Sequence, residues 1–179
     1  MNQEDIINFL RVNTGLLEEG NFDELYSRYR QAFYSIGTCT PLTELLIDAG
    51  IEPLDYLNTI PDQYAPNCNL ITKVVIPENI KSIGDYAFYG CTGLTSVTIG
   101  NGVTGIGGYA FSYCMGLTSV IIPNSVVEIG KYAFNDIADI KYEGTKEEWY
   151  KIRKRMYWNG GIQKYTIHCT DGDVKGVRR

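Results

Sequence analysis

ITKVVIPENIKSIGDYAFYGCTG (71–93), LTSVTIGNGVTGIGGYAFSYCMG (94–116) and LTSVIIPNSVVEIGKYAFNDIAD (117–139) are one 23-residue pattern written three times. Ile71, Leu94 and Leu117 coincide, as do Val74, Val97 and Val120, then Ile76, Ile99 and Ile122, then Ile80, Val103 and Val126. Ile-Gly-x-Tyr-Ala-Phe recurs whole at 83–88, 106–111 and 129–134, and Cys91 and Cys114 share a position. A unit this short cannot bury its own apolar face, so copies must stack into a solenoid whose core runs through all of them. Alternation such as Val97-Thr98-Ile99 reads as a strand with two side chains inward and one outward, and coiling makes successive strands parallel. A fourth strand begins at Ile140 and Tyr142.

Pro77, Gly100 and Pro123 follow the strands and turn the chain. Gly84, Gly107 and Gly130 recur before Tyr-Ala-Phe, which implies either a special backbone conformation or close approach between coils. Phe88, Phe111 and Phe134 are expected to stack in the core. Cys91 and Cys114 are read as small apolar fillers.

Taken together, Ile-Pro…Val…Ile-Gly…Ala-Phe…Cys…Leu-Thr-Ser-Val resembles the BspA-like subclass of leucine-rich repeats over roughly residues 70–143. KYEGTKEEW (141–149) is similar to the segment that closes such arrays. The resemblance implies an α/β repeat solenoid that binds other macromolecules. Such arrays are known in surface proteins of bacteria and protists and in small phage or bacterial proteins without export signals.

A solenoid exposes core and strand edge at its ends, so caps are expected. Residues 1–68 are read as a helical N-terminal cap. Helices are expected over 3–12, after the capping box Asn21…Glu24, from Thr40-Pro41 to Gly50, and shortly after Pro53. Residues 69–143 are the repeats, about three leucine-rich-type coils. Residues 144–179 are a mixed C-terminal cap. In it, Thr145…Glu148 opens a helix placing Trp149, Ile152 and Met156 on one face and leaving Lys151, Arg153, Lys154 and Arg155 to water. Tyr165–Cys169 is read as a last strand, and TDGDVKGVRR as a frayed tail.

The 179 residues suit one domain able to fold without disulfides or metal. The opening residues carry acids and no long apolar run, so neither a signal peptide nor a membrane span is expected and the reading is cytoplasmic. Five cysteines without a CxxC pair are read as reduced thiols. Charge is uneven: residues 1–140 hold 6 basic and 16 acidic side chains and residues 141–179 hold 10 and 5, or −10 against +5.

No constellation for catalysis stands out. His168 is the only histidine, and acid–base or metal work would need partners that the sequence does not name. Gly105-Ile106-Gly107-Gly108 lacks phosphate-loop spacing, and Glu18-Glu19 are adjacent solvated acids. The run Lys151–Arg155 with Tyr150, Tyr157 and Trp158 is the one cluster that could suit nucleic acid, yet on an acidic chain a solvated helix face explains it better. No cofactor and no metal site is expected.

Outward strand positions form two rows, Lys73, Ser96, Ser119, Asp139 and Val75, Thr98, Ile121, Lys141, which are the candidate partner-binding surface. The expected function is a non-catalytic protein–protein interaction module that inhibits or scaffolds a host or cellular protein. The alternative is a self-assembling homo-oligomer whose acidic and basic ends meet head to tail. An enzyme or nucleotide-binding protein comes third, and neither nucleic acid nor a membrane is the expected partner.

Overall fold

The computed structural model describes residues 11–13, 15–16, 24–25, 28, 57–67, 71–135, 137–160, 162 and 164–177. The main strands are β2 (Lys73–Ile76), β4 (Ser96–Ile99), β6 (Ser119–Ile122) and β8 (Asp139–Tyr142). Each alternates exposed and buried residues, as the apolar spacing requires. They pair in parallel and are joined by β10 (Lys164–Cys169) and β11 (Gly172–Val177), giving the order β11-β10-β8-β6-β4-β2. A second, wholly parallel sheet is built from two-residue strands in the order β1-β3-β5-β7-β9. These are β1 (Thr59–Ile60), β3 (Ser82–Ile83), β5 (Gly105–Ile106), β7 (Glu128–Ile129) and β9 (Arg153–Lys154).

Between the sheets runs a continuous core. Phe88, Phe111 and Phe134 are fully buried, with adjacent ring centroids 5.3 and 5.6 Å apart and planes within 7°. Cys91 and Cys114 are buried as expected, and they also stitch coils together. Their thiols donate to the carbonyls of Ala65 and Phe88 at 3.0 and 3.1 Å.

The coil extends past the three repeats at both ends. Strand β1 lies within the stretch read as helical cap, where Ile60 and Asp62 occupy the places of Ile83 and Asp85 one coil on. Among the described N-terminal residues, 11–12, 15–16, 24–25 and 28 are helical, Leu25 is fully buried, and Glu24 pairs with Arg28 at 2.7 Å. Asn21, the helix expected from Pro41 to Gly50 and the one after Pro53 lie outside the described residues.

At the other end, helix α1 (Lys146–Lys151) has the expected capping box between Thr145 and Glu148. Unlike the sequence reading, it stops at Lys151, because Ile152 is extended and the next residues join the edge of β7. Arg153 and Arg155 donate backbone N–H groups to Val127 and Ile129, both at 2.9 Å. Their side chains meet Glu128 at 3.3 and 2.9 Å, so neither belongs to a solvated helix face. Trp149 and Ile152 are buried as expected, whereas Met156 is 71% exposed.

Nor does the tail fray over its described length. Strand β11 pairs antiparallel with β10 after a turn at Thr170 and Asp171, with Gly172 at φ 118°. Val174 is buried opposite Ile167, and the Tyr165 ring lies over Gly176, where a Cβ would come within 2.0 Å of it.

Lys154 departs most from expectation. Its ammonium sits 4.4 Å from the Trp149 ring centroid and donates to the carbonyls of Trp149 and Ile152. Burial pushes its pKa down from the ordinary 10.5 to about 8. Since the folded value lies below the unfolded one, carrying the charge opposes folding. That penalty is full below about pH 8 and is relieved as pH rises toward 10.5. An NMR titration of the lysine ε-carbons should therefore show one midpoint near 8, absent from Lys154→Met. Lys151, whose ammonium is held by a hydrogen bond to Glu147, should titrate above the ordinary value. No midpoint below the ordinary lysine range would contradict the placement of Lys154.

Candidate functional site

All eight candidate partner-binding residues are exposed on one face of the six-stranded sheet. Lys73 pairs with Ser96 and Ser119 with Asp139, while Val75 pairs with Thr98, Thr98 with Ile121 and Ile121 with Lys141. The Thr98–Ile121 register sets Ser96 beside Ser119, so each row continues from strand to strand. Val75 is 54% and Ile121 39% exposed, apolar side chains in the same row and two strands apart.

The two rows run further than the repeat indicates. Asp139 is followed by Thr166 and Lys175, and Lys141 by His168 and Asp173. His168 Nδ1 lies 2.9 Å from Asp173 Oδ1, and its Nε2 3.4 Å from Asp139 Oδ1. Its ring nitrogens face different carboxylates, which ties β8, β10 and β11 together across an exposed surface and gives no single point where ligands converge. Among the described residues no group of three His, Cys, Asp or Glu side chains is placed to hold a metal.

The sequence reading missed a second surface, an edge of tyrosines. Tyr86, Tyr109, Tyr132 and Tyr157 occupy successive coils at φ of 58°, 58°, 55° and 61°. That region costs a residue bearing a Cβ about 1–2 kcal/mol. Packing holds the conformation, with ring centroids 4.8, 5.1 and 5.6 Å apart along the series. Backbone N–H groups of Tyr86 and Tyr109 also donate to Gly108 and Lys131 of the next coil, each at 2.8 Å. Tyr89 links Tyr86 to Tyr113, which is 47% exposed. Backbone strain maintained at a surface of amphipathic rings is a pattern of binding sites. Recurrence of Tyr86, Tyr109 and Tyr132 at a spacing of 23 residues is the available signal.

Beside this edge, over the five-stranded sheet, runs a groove of about 540 Å³. Its lining includes Asp85, Tyr86, Gly107, Gly108, Tyr109, Lys131 and Arg155. Gly107 marks a point where the coils nearly touch, since a Cβ on it would lie 2.5 Å from the Gly84 backbone. Among the described residues no helix is long and apolar enough to cross a membrane.

The family described as BspA type leucine rich repeat region matches residues 58–175 in six copies, reaching beyond 70–143 on both sides. No curated relative matches the chain. Among solved structures, a leucine rich repeat protein of T. pallidum is 23% identical with a TM-score of 0.43, covering 49% of this chain and 46% of that one. A leucine rich cell surface protein of Faecalibacterium prausnitzii A2-165 is 23% identical with a TM-score of 0.42, covering 59% of this chain and 34% of that one. The chain therefore spans less than half the length of either.

Proposed function

Given that the chain belongs to the BspA-type leucine-rich repeat family, in general a family of protein-interaction modules, we propose that it is a non-catalytic module holding a protein partner on its six-stranded sheet. The observation that carries this reading is the two continuous rows of exposed side chains, Lys73–Ser96–Ser119–Asp139 and Val75–Thr98–Ile121–Lys141. A regular face with small residues at its centre, two exposed aliphatics and charges at both ends, Lys73 on β2 and Asp139 and Lys141 on β8, suits a partner of complementary shape. Occupying a host or cellular protein in this way inhibits or scaffolds it without any chemistry of the module's own.

Affinity capture from a lysate of the source cell or its host, repeated at low and high salt, tests the proposal. The expected result is one stoichiometric protein, with capture by Val75→Glu/Ile121→Glu reduced at least about tenfold, since a charge forced into a desolvated contact is costly. Undiminished capture by the double variant would remove the sheet face from consideration. Recovery of the bait alone, salt-sensitive and larger than a monomer by light scattering, would favour head-to-tail self-assembly, which the −10 of residues 1–140 and the +5 of residues 141–179 support.

A further inference from the structure

A ladder of carboxylates climbs this solenoid and stops one rung short. Asp62 Oδ1 accepts the Asp85 backbone N–H at 2.7 Å, and one coil on Asp85 Oδ1 accepts the Gly108 N–H at 2.6 Å. The next rung belongs to residue 108, whose side chain would cap the N–H of Lys131, but residue 108 is glycine. Among the described residues the Lys131 N–H has no acceptor.

Packing does not require that glycine. A Cβ on Gly108 would come no nearer than 3.4 Å to any neighbour, whereas one on Gly107 would stand 2.5 Å from the Gly84 backbone. Nor is Gly108 among the glycines of positive φ. The missing side chain thus leaves space with a backbone donor at its edge, opening onto the groove lined by Tyr109, Lys131 and Arg155. The charged lining of the groove is Asp85 and Glu128 against Lys131 and Arg155. Glu128 is engaged by Arg153 and Arg155, while the Lys131 ammonium pairs with no described carboxylate and lies 5.1 Å over the Tyr132 ring.

We propose that this gap receives the carboxylate of an acidic side chain, carried on an extended segment of a protein partner lying along the groove. The incoming oxygen would accept the Lys131 N–H in place of the absent rung, with the Lys131 ammonium beside it. The Asp85 carboxylate is no bar, because Asp62 and Asp85 already occupy consecutive rungs. The site stands on the five-stranded sheet and is independent of the face proposed above, so Val75→Glu/Ile121→Glu leaves it intact.

Amide NMR spectra of the isotope-labelled full chain test it, with three probes: a blocked Gly/Ser peptide bearing one Asp, its Asn counterpart, and acetate. The Lys131 amide is expected to move on adding the Asp peptide, which should bind at least about tenfold more tightly than either other probe, as a charge-assisted bond in a shaped site does. In Gly108→Asp the same amide should be displaced from the outset and no longer respond. A Lys131 amide indifferent to the Asp peptide, or equally responsive to the Asn peptide, would overturn the proposal. Acetate binding as tightly as the peptide would reduce the site to a free-anion site and overturn the peptide occupant.

Discussion

Phe111→Ala is expected to lower the unfolding free energy by about 3–5 kcal/mol in a denaturant titration, the range for deleting a fully buried phenylalanine. Phe111 is the middle ring of the ladder, with Phe88 on one side at 5.3 Å and Phe134 on the other at 5.6 Å. All three are completely buried, so truncation opens a cavity that neither neighbour can fill without leaving its own stack. Position adds to the effect, because each coil of a solenoid rests only on its neighbours and a weakened central coil uncouples the two ends. A loss below about 1 kcal/mol would mean that the ring does not occupy this core.

Gly107→Ala should cost about 3 kcal/mol or more, although it adds one methyl group, since overpacking against backbone cannot be relieved by a rotamer change. The new Cβ would lie 2.5 Å from the Gly84 carbonyl carbon and 2.7 Å from the Asp85 nitrogen. Its counterpart on Gly130 would lie 2.4 Å from the Gly108 nitrogen, so the column is equally tight in the next coil. Gly108→Ala is the internal control. One residue along, with ordinary contact distances, it should be neutral or stabilise by about 0.4–1 kcal/mol through loss of unfolded-state freedom. Equal effects from the two alanines would contradict the stacking of coils at this corner.

These two sites differ in how far the sequence foretold them. The Phe ladder follows from hydrophobic periodicity, which places Phe88, Phe111 and Phe134 inside whatever the details of the turns. For Gly84, Gly107 and Gly130, periodicity left a positive φ and a close approach as equal alternatives. The structure gives close approach, and puts the positive φ two residues later on tyrosine. Nothing in a tyrosine's identity marks that conformation, which is imposed by the next coil's carbonyls and the neighbouring rings.

The ends were harder for a related reason. Residues 57–67 carry Pro61, Gln63 and Tyr64 where the repeats have Gly, Tyr and Ala, so side-chain matching loses them. Strand β1 is held by its backbone pairing to β3, which is indifferent to side-chain identity. After Lys151 the basic stretch reads as a continued helix, but the open edge of β7 takes Arg153 and Lys154 as a strand. The polar composition of TDGDVKGVRR reads as a tail, whereas the structure pairs β11 with β10 and buries Val174 opposite Ile167.

The sequence by itself therefore determined the repeat, the inward ladders, the register of the eight outward residues on β2, β4, β6 and β8, and the capping box of α1. Each depends on which side chains are apolar at a fixed period, and that information is local. Tertiary structure alone decided that the coil runs on through β1 and β9, that Lys154 folds beneath Trp149, that tyrosines form a strained edge, and that the carboxylate ladder lacks its third rung. These features arise where one coil's backbone meets the next, a juxtaposition that no single stretch of sequence contains.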